Sequence, residues 1–214
     1  YAVGGAKSGK DSYYDWLNAY KGTGVLSQIE WFKSSLKDSK ADPDALYFIF
    51  VSANDYFQHM DYSMPGTLNQ LSSQTVKNID TAVKNLAKLG AKNFMVVSCV
   101  DLSIEPWEVS NSRASQAKEF TADVNTALPE TLDDLTSNLN IDITYFNYPE
   151  KVSEVIRENP SKYGFKELNK SYETTYPEII KGNGNPDEYY FWDEWHPTKA
   201  VHKFAGDEMA KELQ

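Results

Sequence analysis

Leu46-Tyr47-Phe48-Ile49-Phe50-Val51 is an unbroken apolar run, and Phe94-Met95-Val96-Val97-Ser98-Cys99-Val100 is its counterpart further along. Both are rich in aromatic and β-branched residues and neither alternates with polar ones. That pattern predicts parallel strands covered on both faces. Ile141-Asp142-Ile143-Thr144-Tyr145-Phe146 is a weaker third candidate. Between the runs the period changes. Val76, Ile79, Val83, Leu86 and Leu89 are spaced 3, 4, 3 and 3, with Gly90 placed as a helix C-cap. Ala114 to Leu128 reads as a second helix, with Phe120, Val124 and Leu128 on one stripe, and Gly24 to Leu36 as a shorter one. A last helix is predicted from Pro197 to Leu213, with Pro in its first turn. Strands alternating with helices mean βαβ units, a parallel sheet and right-handed crossovers. The segment Asn159 to Asp187 carries Gly, Asn, Pro and Tyr without periodicity and reads as a long loop over a site.

The chain has 214 residues, 41% of them hydrophobic and 14% aromatic, enough for one domain with a substantial core. The expected domain is 1–214. A net charge of −10 disfavours a nucleic-acid partner. No apolar run reaches the roughly 18 residues of a membrane-spanning helix. The single Cys99 rules out an internal disulfide and a cysteine-based zinc site. The chain starts at Tyr1 rather than Met, so the absence of a signal peptide says nothing about the native product.

In open parallel sheets, ligands bind beyond the carboxyl ends of the strands. Three motifs fall there. Ser52-Ala53-Asn54-Asp55 follows the first run, and Asn54 can aim its amide at a developing oxyanion, although Asn-Asp also starts turns and caps helices. Tyr1-Ala2-Val3-Gly4-Gly5-Ala6 reads as a short strand and a tight Gly-Gly turn that exposes an N–H. Phe191-Trp192-Asp193-Glu194-Trp195-His196-Pro197-Thr198 sets an Asp three residues before a His. An Asp there can accept the imidazole Nδ1–H, fix the tautomer and leave Nε2 to take a proton.

Taken in order, these motifs resemble the conserved blocks of the SGNH (GDSL) family of esterases, lipases and acyltransferases. Tyr-Ala-Val-Gly-Gly-Ala is similar to its second block and Ser-Ala-Asn-Asp-Tyr to its third. Tyr-x-Phe-Trp-Asp-x-x-His-Pro-Thr is similar to its fifth, and Asn159 to Phe165 also resembles its lipase-like branch. The resemblance runs from Tyr1 to about Ala205. It implies a three-layer α/β/α, flavodoxin-like fold and serine-dependent ester hydrolysis through an acyl-enzyme. The alternatives are an acyltransferase on the same fold or a non-catalytic binding module. It implies His196 as the general base, Asp193 as its orienting carboxylate, and Gly5 N–H and the Asn54 amide as oxyanion donors. Trp192, Trp195 and Tyr56 become the candidate substrate-binding residues. No cofactor and no metal are implied. The expected partner is a small-molecule or lipid ester, and the expected location secreted or periplasmic.

Two departures stand out. Ser52 replaces the usual Gly of the third block. The first block, Gly-Asp-Ser-Leu, has no counterpart, because the one Gly-Asp, Gly206-Asp207, lies in the last predicted helix. The expectation is therefore an N-terminally truncated chain without its nucleophile and first strand, which would leave a core face open. Other serines, such as Ser8 and Ser98, could be proposed as substitutes, and nothing in their spacing supports them. Gly4 to Asp11 nearly matches a phosphate-binding P-loop, but Asp11 stands where the Mg²⁺-binding hydroxyl belongs. His59 reads as a residue at the pocket mouth and His202 as surface or packing.

Overall fold

The computed structural model describes residues 1–37 and 39–214. In chain order it contains α1 (Asp15–Asn18), α2 (Val25–Ser35), β1 (Leu46–Phe50), α3 (Ala53–Asp61), α4 (Leu68–Leu89) and β2 (Asn93–Val97). These are followed by α5 (Pro106–Ser110), α6 (Ala114–Asn138), β3 (Asp142–Phe146) and α7 (Val155–Glu158). The chain closes with β4 (Glu167–Ser171), β5 (Glu173–Thr174), β6 (Ile180–Lys181), β7 (Tyr189–Phe191) and α8 (Lys199–Glu212). Contacts divide it into two compact units, 1–99 with 122–145, and 100–121 with 146–214.

The first unit carries a sheet in the order β1-β2-β3. β1 and β2 pair in parallel from Leu46 opposite Asn93 to Phe50 opposite Val97, joined through α3 and α4 as the βαβ pattern requires. β2 is buried on both faces, with Phe94, Met95, Val96 and Val97 in the core. β1 departs from expectation. It is a sheet edge, and Leu46, Phe48 and Phe50 are exposed while Ile49 points into the core. A continuous apolar run thus behaves as a one-sided strand, because no neighbour among the described residues covers its second face.

α4 forms where the spacing predicts it. Thr67 and Gln70 make a reciprocal capping box at its start. Gly90 ends it in the left-handed region at φ 117°, as an αL cap. Val76, Ile79, Ala82, Val83 and Leu86 are its buried stripe. Each Val, Ile or Leu side chain in that stripe contributes roughly 1.5–3 kcal/mol on full burial. α6 runs past the expected Leu128, continues through Pro129 and extends its buried stripe to Leu132 and Leu135.

In the second unit, Val152, Ile156, Phe165, Tyr190, Val201 and Ala205 are core residues. The predicted loop from Asn159 to Asp187 is structured. β4 pairs in parallel with β7, and β5 pairs with β6 as an antiparallel hairpin. These strands are too short and too polar to show a period-two signal. The last helix starts later than predicted. Thr198 is its N-cap, and Pro197 bridges back to Phe191 rather than occupying the first turn.

Candidate active site

Asn54 and Asp55 lie in the first turn of α3, a helix that the sequence reading treats only as a turn or cap. From there α3 holds the whole Gly5–Asp15 loop. Asn54 Nδ2 donates to the Ala6 carbonyl at 3.1 Å. Asp55 accepts from the Ser8 N–H at 2.8 Å and the Ser8 hydroxyl at 2.6 Å. Gln58 Nε2 donates to the carbonyls of Ser12 and Tyr13, each at 3.1 Å, and to Asp15 at 2.9 Å, and Gln58 Oε1 accepts from Lys7. Asp55 is buried. Burial pushes its pKa up against the opposing pull of the Ser8 bonds and the Lys7 charge. Its place at a helix N-terminus also favours the carboxylate.

The Gly5 turn needs its glycine. Gly5 has φ 77°, and a Cβ there would stand 2.6 Å from the Tyr14 ring. Its carbonyl accepts from Tyr13 N–H at 2.7 Å, and its own N–H meets no acceptor among the described residues. The second N–H of the Asn54 amide likewise has no acceptor among the described residues. The stretch before the turn, Tyr1 to Val3, is not a strand, contrary to expectation. Ser8 is a structural serine, with its hydroxyl held between Asp55 and Asn78 Nδ2, the latter at 2.9 Å. Ser98 is fully buried beyond the end of β2.

The second group of candidates lies in the second unit. After β7 the chain turns at residues 193–196 and returns alongside it. Trp192 N–H donates to the His196 carbonyl at 2.8 Å, and Thr198 N–H to the Tyr190 carbonyl at 2.9 Å. The Thr198 hydroxyl adds a bond to the Tyr189 carbonyl at 2.7 Å. Within the turn, Asp193 Oδ1 accepts from the N–H groups of Trp195 at 2.9 Å and His196 at 2.7 Å. Both Asp193 oxygens lie 2.9 Å from His196 Nδ1. An ionised carboxylate there requires hydrogen on Nδ1, which leaves the Nε2 lone pair outward. The Asp193 side chain is 15% exposed and that of His196 72%.

The electrostatics follow from this geometry. Burial works to raise the Asp193 pKa, but the bonds from His196 and Trp195 and the imidazolium charge hold it below its ordinary value. The Asp193 hydrogen bond, aided by its charge, raises the His196 pKa against partial burial. Buried Glu105 is pushed well above the usual carboxyl range, by burial first and then by Glu108, Asp101 and Asp193.

The family model described as GDSL-like Lipase/Acylhydrolase matches residues 1–209. The chain belongs to this GDSL-like family. It is similar to a GDSL esterase/lipase of Arabidopsis thaliana, 26% identical over 193 residues, which covers 80% of this chain and 53% of the relative. A second from the same plant is 25% identical over 186 residues, covering 77% and 51%. A GDSL lipase of Tanacetum cinerariifolium is 28% identical over 205 residues, covering 85% and 55%. The chain spans about half the length of these curated relatives. A mixed α/β chain with a parallel sheet accords with this family's fold.

The remaining GDSL candidates are placed as follows. Trp192 is exposed and its ring lies 5.4 Å from that of Tyr172. Trp195 is partly buried, 4.8 Å from Trp107. Tyr56 is fully buried with its ring edge-on to Phe57, a packing position rather than a pocket wall. His202 sits on α8, where burial and then the His196 charge lower its pKa. The sequence reading missed Gln58 and Glu194. The signal for Gln58 was present, since a polar residue one turn after Asn54 on a helix faces the same loop. Among the described residues no His/Cys/Asp/Glu group has the arrangement of a metal site, and no helix is long and apolar enough to cross a membrane.

Proposed function

We propose that the full-length protein hydrolyses carboxylic esters through an acyl-enzyme. The contact of both Asp193 oxygens with His196 Nδ1 carries this reading, because it leaves Nε2 as a base. In the proposal, Nε2 takes the proton of a serine hydroxyl as its oxygen attacks the ester carbonyl. The Asn54 amide and the Gly5 N–H hold the resulting oxyanion, in a role worth roughly 3–4 kcal/mol per donor in comparable sites. His196 then protonates the leaving alcohol, and water, activated by the same base, releases the acid. The nucleophile is a serine outside these 214 residues. The bonds that hold Ser8 and the burial of Ser98 support a nucleophile other than these two. Trp192 lines the approach to the base.

The reading includes a small-molecule or lipid ester as substrate and a secreted or periplasmic location. Membership of the GDSL-like family supports the chemistry. The test is hydrolysis of short p-nitrophenyl esters by the full-length protein and by His196→Ala. Turnover that disappears in the variant is the expected result. No turnover by the full-length protein, or undiminished turnover by the variant, overturns the proposal. Fractionation of expressing cells checks the location.

A further inference from the structure

Glu194 stands between the two members of the dyad in sequence, and its own buried side chain accepts from donors of Thr175 and Tyr176. Its Oε1 accepts from the N–H groups of Thr175 at 2.7 Å and Tyr176 at 3.2 Å, and its Oε2 from the Thr175 hydroxyl at 2.7 Å. Its carbonyl accepts from Trp107 N–H at 3.1 Å. Burial works to raise its pKa, but the Thr175 bonds and the neighbouring N–H groups hold it below its ordinary value. The carboxylate is thus an anion locked in a neutral receptor.

That receptor is the connection between β5 and β6. The hairpin has only two pairs, Glu173 with Lys181 and Thr174 with Ile180. A two-stranded piece of this size does not hold itself in water. Its other anchors also go to the dyad turn, through Tyr172 N–H to the Phe191 carbonyl at 2.9 Å and Glu173 N–H to the Trp192 carbonyl at 2.8 Å. Tyr176 lies edge-on to Trp107 at 5.8 Å, and Trp107 meets Trp195, the residue beside His196, at 4.8 Å. The hairpin nevertheless presents large apolar side chains outward, with Tyr176 68%, Ile179 71% and Ile180 60% exposed. Adjacent exposed apolar groups rimmed by polar residues mark a binding surface.

We propose that Glu194 is a positioning residue for substrate. It fastens the Glu173–Lys181 hairpin to the turn that carries Asp193 and His196, so that Ile179 and Ile180 contact the acyl chain of a medium- or long-chain ester. This rests on the ester-hydrolase reading above. Glu194 does not act on the proton chemistry, since its oxygens are fully engaged by Thr175 and Tyr176. Glu194→Ala removes the acceptor of all three bonds, whereas an amide side chain could keep them by donating to the Thr175 hydroxyl.

The experiment compares p-nitrophenyl decanoate with p-nitrophenyl acetate in the full-length enzyme. Glu194→Ala and the double variant Ile179→Ser/Ile180→Ser should each raise KM for decanoate about tenfold, as expected for lost apolar contact. Their kcat, the acid limb of their pH profile and KM for acetate should stay within about threefold of wild type, as expected when binding is lost equally from the ground and transition states. Unchanged KM for decanoate in either variant overturns the proposal, as does an equal loss on both esters. If Glu194→Ala fails to fold, Thr175→Val removes one of the same bonds from the hairpin side and should raise KM for decanoate by about threefold. An unchanged KM in that variant overturns the proposal too. His196→Ala separates the two readings. Activity retained without the base defeats the ester-hydrolase reading. Activity lost there, with chain-length preference unaltered in the hairpin variants, defeats only this inference.

Discussion

The two stretches that carry the candidate chemistry are held in opposite ways. The Gly5–Asp15 loop is tied inward by one helix, through Asn54, Asp55 and Gln58, until its turns have little freedom left. The Asp193–His196 turn is tied through its main chain, Asp193 and Glu194, while the His196 ring keeps one edge in solvent, at 72% exposure against 15% for Asp193. The difference matches the proposed tasks. An oxyanion donor contributes by being in place before charge develops. A base must exchange protons with substrate and water, so only the nitrogen that sets its tautomer is fastened. In the proposed reaction, then, damage to the turn should remove rate and leave stability, whereas damage to the loop should remove both.

The largest expected effect is in the turn. In the full-length enzyme, His196→Ala should lower kcat by at least roughly 10³-fold, and Asp193→Asn by roughly 10³–10⁴-fold through loss of the correct tautomer. His196→Ala should not move the melting temperature by more than about 2 °C, since its exposed ring contributes little stability. A melting temperature that drops with the rate would break the comparison. In the loop, Asn54→Ala should cost roughly 10²–10³-fold in kcat as one of the proposed oxyanion donors is lost. Asp55→Ala should instead lower stability by about 1–3 kcal/mol, because the buried Ser8 N–H and hydroxyl lose their acceptor. Denaturant unfolding measures this, and an unchanged midpoint would show that α3 does not hold the loop.

The smallest expected effect is in pH. The raised His196 pKa means that the proposed base loses its proton at a higher pH than an ordinary histidine, so kcat/KM should rise with pH through an acid limb displaced upward. Asp193→Asn should move what remains of that limb down toward the ordinary value. The linked stability has two edges. The His196 contribution is fully present below its unfolded pKa and fades as pH rises through the raised folded value. The Asp193 contribution is present above its unfolded pKa and fades as pH falls through the lowered folded value. The ion pair therefore stabilises the turn only between those two pKa values. A limb that stays in place in Asp193→Asn would show that the dyad contact does not set the His196 pKa.

Legibility in the sequence was uneven for physical reasons. β2 and α4 were readable because a buried strand and an amphipathic helix impose their periods directly on apolar residues. Asp193 and His196 were readable because a three-residue spacing joins them without help from the rest of the chain. α3 was missed because its inward face is largely polar, with Asn54, Asp55 and Gln58 bonding a loop distant in sequence. The β5–β6 hairpin was missed because two-residue strands have no period to detect. β1 was read as two-sided because a continuous apolar run records composition, not which neighbours are present.

By itself the sequence determined the parallel α/β architecture, the order of the motifs and the local dyad, since each depends on residues close together along the chain. Only the tertiary structure decided that Asp55 and Gln58 hold the Gly5 loop, that Tyr56 is core, and that Glu194 grips the hairpin. Those contacts join residues far apart in sequence, and a polar side chain carries no mark of its partner until folding brings the two together.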